Sequence, residues 1–146
     1  MGREIRRVPR YWKHPTDVKG NYIALYDGYA ERAAEFLDMI KNEGLQKAVE
    51  YFGGGPDKND YMPNWPEEEK TRIMMYETCS EGTPISPSFD TCEELARWLS
   101  DNNASAFGSM TASYEQWLAT CKAGWAVSAI YDNINGFRSG VEAIGE

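Results

Sequence analysis

A chain of 146 residues, 42% hydrophobic and 26% charged, has the size and composition of one globular domain able to bury its own core. No apolar run approaches the roughly 18–20 residues of a membrane span, and the start, MGREIRRVPRYWKHP, lacks the apolar stretch of a secretory signal and the serine or threonine that myristoylation wants where Arg6 stands. The net charge of −8 is uneven: residues 1–20 hold Arg3, Arg6, Arg7, Arg10, Lys13 and Lys19 against Glu4 and Asp17, a net +4, so residues 21–146 carry −12.

The organisation expected is a single domain over 1–146, with residues 1–20 as a basic arm or edge strand and 21–146 as an acidic body. Such an arm either contacts nucleic acid, docks on an acidic partner or folds back on its own body, and the last is the simplest. An acidic body disfavours duplex binding, which needs many phosphate contacts. Arg6, Arg7 and Arg10 are the candidate contacts in the arm.

In chain order, Ile5 to Pro9 reads as a short edge strand ended by proline. Residues 10–20 read as an irregular connector. Asp27 is an acceptable cap for a helix whose apolar face is Tyr29, Ala33, Phe36, Leu37 and Ile40. Gly44 marks its stop. Leu45, Ala48, Val49 and Phe52 give a second, shorter stripe that Gly53-Gly54-Gly55-Pro56 ends. Residues 57–70 form a long loop in which Tyr61 and Trp65 either pin the chain or meet a ligand.

Residues 72–78 (RIMMYET) predict a strand, and Ile85 to Phe89 a second one, at a sheet edge because it contains Pro87. Thr91 with Glu94, and Ser113 with Gln116, have capping-box spacing ahead of two amphipathic helices. Asp101-Asn102-Asn103 closes the first and Gly124 the second. Trp125 to Tyr131 predicts a strand, Asn135-Gly136 a hairpin turn, and Phe137 to Val141 the return strand. The fold class is therefore α+β, an antiparallel sheet of about four to five short strands with helices packed on one face.

Catalytic signatures are scarce. The sole histidine, His14, sits between Lys13 and Pro15 in the basic arm and is expected to be exposed, and one histidine cannot furnish a multi-histidine metal site. Cys79, Cys92 and Cys121 have no CxxC or zinc spacing and are expected to be free thiols packed as small hydrophobes. The GGGP run lacks the Lys-Ser/Thr of a phosphate loop, and Glu67-Glu68-Glu69 reads as a solvated acidic segment or the first turn of a short helix. In CSEGTP, Ser80, Glu81 and Thr83 flank Gly82: their hydroxyls and N–H groups either cradle an anion or close a turn on themselves. No cofactor, metal or catalytic residue is assigned.

The blocks REIRRVP with Trp12, His14 and Pro15, then MYETCSEGTPISPSFDTCEELARWLSDNNASAFG, SYEQWLAT and GWAVSAIYDNINGFRSGVEA, resemble a group of small bacteriophage and prophage proteins of unknown function. The resemblance covers both ends of the chain and leaves residues 16–70 unmatched. It carries no functional residue over. It implies a phage accessory product made in the bacterial host cytoplasm.

The expected function is thus non-enzymatic binding and inhibition or modulation of a host protein, such as a CRISPR-type defence effector. Next comes a sponge for a small nucleotide signal, with a hydrolase of such a signal behind it. A structural, oligomerising phage protein is the plainest alternative. Tyr61, Trp65, Ser80, Glu81, Thr83, Arg6, Arg7 and Arg10 are the candidate ligand- or partner-binding residues.

Overall fold

A computed structural model describes residues 2–144. The elements are β1 (Gly2–Val8), α1 (Tyr29–Glu43), α2 (Leu45–Phe52), β2 (Arg72–Glu77), β3 (Thr83–Pro84), α3 (Cys92–Asp101), α4 (Tyr114–Ala123), β4 (Trp125–Val127), β5 (Ala129–Asp132), β6 (Gly136–Ser139) and α5 (Gly140–Ala143). They are shared between two compact units, one built from Met1–Ile23 with Trp65–Glu146 and the other from Ala24–Asn64. The fold is α+β, as its sequence pattern implies.

The first unit holds an antiparallel sheet in the order β3-β2-β1-β4, with β5 and β6 forming a separate hairpin. β1 pairs with β2 on one side and β4 on the other, so the basic segment is an interior strand and not the edge strand its terminal proline suggested. Proline follows the strand at position 9, where its missing N–H leaves the ladder intact.

Strand alternation divides the sheet into two faces. Ile5 lies opposite Met75, and Ile73 and Met75 share a face two residues apart. This face joins Leu95, Ala96 and Leu99 of α3 and Trp117 and Cys121 of α4 in one buried cluster, which Val141 of α5 completes. α3 and α4 therefore cover one side of the sheet. The opposite face carries Arg6, Met74 and Tyr76, all buried.

Both helices start where local chemistry dictates. Thr91 Oγ1 accepts the Glu94 N–H at 3.1 Å. Its hydroxyl also donates to the Glu94 carboxylate at 3.0 Å, so Glu94 bonds the Thr91 side chain in place of the backbone N–H of a full capping box. Ser113 and Gln116 make both bonds of the box. Gly124 closes α4 with a left-handed φ of 93°.

Three strand expectations shift. The segment after β2 forms a strand only over Thr83–Pro84, with the Ile85 N–H donating to the Met75 carbonyl at 2.9 Å, and then returns to β2 through a bridge between Phe89 and Ile73. Ser86 replaces a ladder bond there by accepting the Met75 N–H on its hydroxyl at 2.9 Å. The expected strand from Trp125 breaks at Ser128, so β4 ends in the large sheet and β5 begins the hairpin. Gly140 opens α5 and ends the return strand early; a Cβ there would fall on the Val127 carbonyl, so only glycine fits this crossing.

In the second unit, α1 begins at Tyr29 with Gly28, in the left-handed region, at the cap position. Asp27 stands one residue too early, and no side chain caps this helix. α2 follows directly after Gly44 and ends at Gly53. Phe36 and Phe52 meet edge to face at 5.9 Å between ring centroids, joining the two helices, and Arg32 stacks on Phe52.

Replacing Thr91 with alanine should lower stability by about 1 kcal/mol in denaturant unfolding, through loss of the cap. An unchanged midpoint would mean that Thr91 does not fix the start of α3.

Candidate functional site

The site is best built from Tyr76, which has no solvent exposure although it carries a hydroxyl. A buried hydroxyl needs partners. Trp12 Nε1 donates to Tyr76 Oη at 3.1 Å, and His14 Nδ1 lies 3.0 Å from the same oxygen. The other imidazole nitrogen, Nε2, is bonded to the Ile23 carbonyl. A carbonyl only accepts, so Nε2 carries the proton; in the neutral ring Nδ1 then accepts from the Tyr76 hydroxyl. The Arg6 guanidinium lies 4.4 Å above the Tyr76 ring. His14 is therefore buried, contrary to the exposure expected from its charged neighbourhood, because Tyr76 and Ile23 take up both of its nitrogens.

This network anchors residues 12–23 on the sheet face opposite α3 and α4. His14 contacts the Trp12 ring at 5.9 Å and the Tyr22 ring at 5.6 Å, both edge-on, and Trp65 closes against Trp12 at 4.9 Å. Beside it opens a recess of about 730 Å³, walled by Trp12, Tyr22 and Trp98 and bearing Lys13 and Arg72. Although the chain has 23 acidic residues, none of those among the described residues lines this recess. Arg72 Nη2 donates to the Ser88 carbonyl and Nη1 lies 3.8 Å from Asp90, while its buried Nε has no hydrogen-bond partner among the described residues.

The residues singled out from sequence do not converge. Arg6 is buried and bonds Glu4 at 2.8 Å; Arg7 bonds Glu67 at 2.7 Å and Arg10 bonds Asp90 at 3.3 Å. Lys70 first, then Arg7, hold the Glu67 carboxyl below its ordinary range. Glu67–Glu69 forms a single turn of 3-10 helix. Trp65 belongs to the first unit, against Trp12, and Tyr61 to the second, where it packs on Tyr26 and Tyr29. The recess that Tyr61 lines bears Asp27, Glu31 and Glu35 against the single cation Arg32, an excess of negative charge that disfavours an anion.

The loop of Ser80, Glu81 and Thr83 closes on the carboxylate that ends β2. Ser80 donates both its N–H, at 3.1 Å, and its hydroxyl to Glu77, and the Thr83 hydroxyl in turn reaches Ser80 Oγ at 2.9 Å. Burial pulls the Glu77 carboxyl up, but the bonds from Ser80 and Cys79 and the charge of Arg3 outweigh it and hold it below the ordinary value. Glu77 thus fills the place an external anion would take. Glu81 accepts a φ of 75° to make the turn.

Sequence reasoning did not reach the hairpin surface. Tyr131 and Phe137 are opposite each other in the β5–β6 register and share one face; both are exposed, as is Ile134 at the tip. The tip is built, not loose: Asp132 Oδ1 accepts the N–H groups of Ile134 at 2.8 Å and Asn135 at 2.6 Å, and Arg138 bonds its other oxygen at 3.1 Å. Trp125 on β4 adds a further exposed aromatic. The signal was present in the sequence as apolar residues flanking an Asn-Gly turn, but burial, not pattern, tells a core strand from a display strand.

Two of the three thiols are at least partly withdrawn from solvent. Burial drives the Cys121 thiol up to about 12 and also raises that of Cys92, while Cys79 is exposed, against the packed state expected for all three, with its sulfur 2.8 Å from the Ser128 hydroxyl. Among the described residues no group of three or more His, Cys, Asp or Glu is arranged to hold a metal ion, and no helix is long and apolar enough to cross a membrane.

Burial foremost, and nearby Arg6, lower the His14 proton affinity below its ordinary value of 6.5, against the opposing pull of the Ile23 bond. The unfolded chain then binds a proton at His14 at higher pH than the folded chain does. Stability should fall as pH drops through 6.5 and level off only below the folded-state value. Denaturant midpoints from about pH 7 to about pH 5.5 should decline more steeply for the wild type than for His14→Gln; equal slopes would contradict the buried neutral imidazole. Compared with known proteins, the chain matches no protein-family profile, no curated protein sequence and no solved structure.

Proposed function

We propose that this chain is a phage-encoded accessory protein, made in the bacterial host cytoplasm, that binds and modulates a host protein without catalysing a reaction. The observation that carries this reading is the rigid hairpin displaying Tyr131, Ile134 and Phe137 to solvent. Large apolar side chains on a pinned turn resemble the aromatic anchors that dominate protein interfaces, because they lose little conformational entropy on docking. The net charge of −8 favours a partner with a basic rim around an apolar hollow, such as the nucleic-acid channel of a defence effector.

Two further observations support binding over chemistry. The one imidazole has both nitrogens engaged, so it is not free to act as a general base. The two more buried thiols have raised proton affinity and are poor nucleophiles.

The test is affinity capture from host lysate with the wild-type chain and a Tyr131→Ala/Phe137→Ala double variant. Both side chains are largely exposed, Phe137 touching only Phe107 among the described rings, so the variant should keep its circular dichroism spectrum and lose little in unfolding midpoint. The reading expects one host protein held by the wild type, released at about 0.5 M salt and lost with the double variant, at least tenfold in affinity or about 1.4 kcal/mol. Equal retention by the variant, or self-association of the chain in place of capture, would overturn it.

A further inference from the structure

We propose that the recess beside the Tyr76–His14 network is a binding site for a small planar anion of the nucleoside monophosphate class, with the base against the aromatic walls and the phosphate on Lys13 and Arg72. The inference is independent of the hairpin surface and of any partner docked there.

The recess has the dimensions for it. At about 730 Å³ it falls within the usual range of small-ligand sites. Its walls are of the right kind: Trp12, Tyr22 and Trp98 line it, and aromatic side chains of this type stack bases, a contact that contributes about 1–3 kcal/mol per base. Tyr22 and Lys13 are exposed to solvent and open to a ligand, whereas Trp12 is held between His14 and Trp65 and stays in place. A pre-set wall lowers the ordering cost of binding.

Charge selects the ligand. The only charged side chains that line it among the described residues are the cations Lys13 and Arg72, although carboxylates outnumber cations in this chain. Lys13 supplies a mobile ammonium, and Arg72 supplies a guanidinium fixed by the Ser88 carbonyl. The nearest carboxylate, Asp90, stands 3.8 Å from Arg72 Nη1 and is shared with Arg10, so Arg72 is incompletely neutralised. His14 contributes no charge here. It is a positioning residue whose ring contacts set Trp12 and Tyr22 at their angles.

Two of the five tryptophans line the recess, so intrinsic fluorescence reports its occupancy. Titration with adenosine 5′-monophosphate should quench that fluorescence saturably, while inorganic phosphate and adenosine, titrated alone, should each bind at least tenfold more weakly. Lys13→Ala, at an exposed position, should weaken the nucleotide by about tenfold without altering the unfolding midpoint. Tyr22→Ala should weaken adenosine and the nucleotide alike. The proposal is overturned by no saturable quenching up to about 5 mM nucleotide, by phosphate binding as tightly as the nucleotide, or by undiminished binding to Lys13→Ala.

Discussion

The first unit depends on how one buried hydroxyl is satisfied. Tyr76 sits at full burial on β2, and its oxygen receives the Trp12 indole proton and gives its own to His14. Leaving such a group unpaired would cost about 1–3 kcal/mol, out of a domain stability of only about 5–15 kcal/mol. Residues 12–14 are therefore drawn onto the sheet, and the Ile23 carbonyl ties down the far end of the same connector. A segment with no regular secondary structure becomes a fixed layer that covers the face the helices leave open.

The same layer explains the polarity of the basic segment. Its arginines serve several internal purposes. Arg3 is buried against the Ser105 carbonyl at 2.8 Å, Arg6 stacks on Tyr76, and Arg7 and Arg10 reach carboxylates on the neighbouring connections. Burial lowers the Arg3 proton affinity, with Glu77 opposing, so the ion pair there offsets a desolvation cost more than it adds stability. The contrast between a +4 segment and a −12 remainder is thus largely a fold-internal arrangement, with Lys13 among the cations left facing solvent.

What was legible in the sequence was local. Thr91, Ser113 and Gly124 mark helix ends through bonds that span at most four residues, and the structure reproduces them. The Asn-Gly turn was equally plain. What was not legible depended on distant partners. The interior position of β1 follows from β2 and β4, nearly 70 and over 115 residues away in sequence. The burial of His14 follows from Tyr76, which no spacing rule connects to it. The recess combines side chains from the first connector, β2, the segment after β3 and α3, while the chosen Ser80 to Thr83 loop closes on Glu77. Aromatic content pointed to binding, but the sequence drew attention to Tyr61 and Trp65, whereas Tyr131, Phe137 and Trp125 stand among the more exposed aromatics.

Two surfaces then stand apart by chemistry: an apolar hairpin suited to a protein, and an aromatic, cationic recess suited to a small anion. The connector that walls the recess is tied to the sheet partly through a neutral His14. Long-range nitrogen–proton correlation NMR of the imidazole tests that directly. The account predicts a single neutral tautomer protonated at Nε2, with the second proton taken up only at lower pH than the ordinary value of 6.5. A ring that averages both tautomers and titrates at its ordinary value would show that the connector is not anchored, and would contradict it.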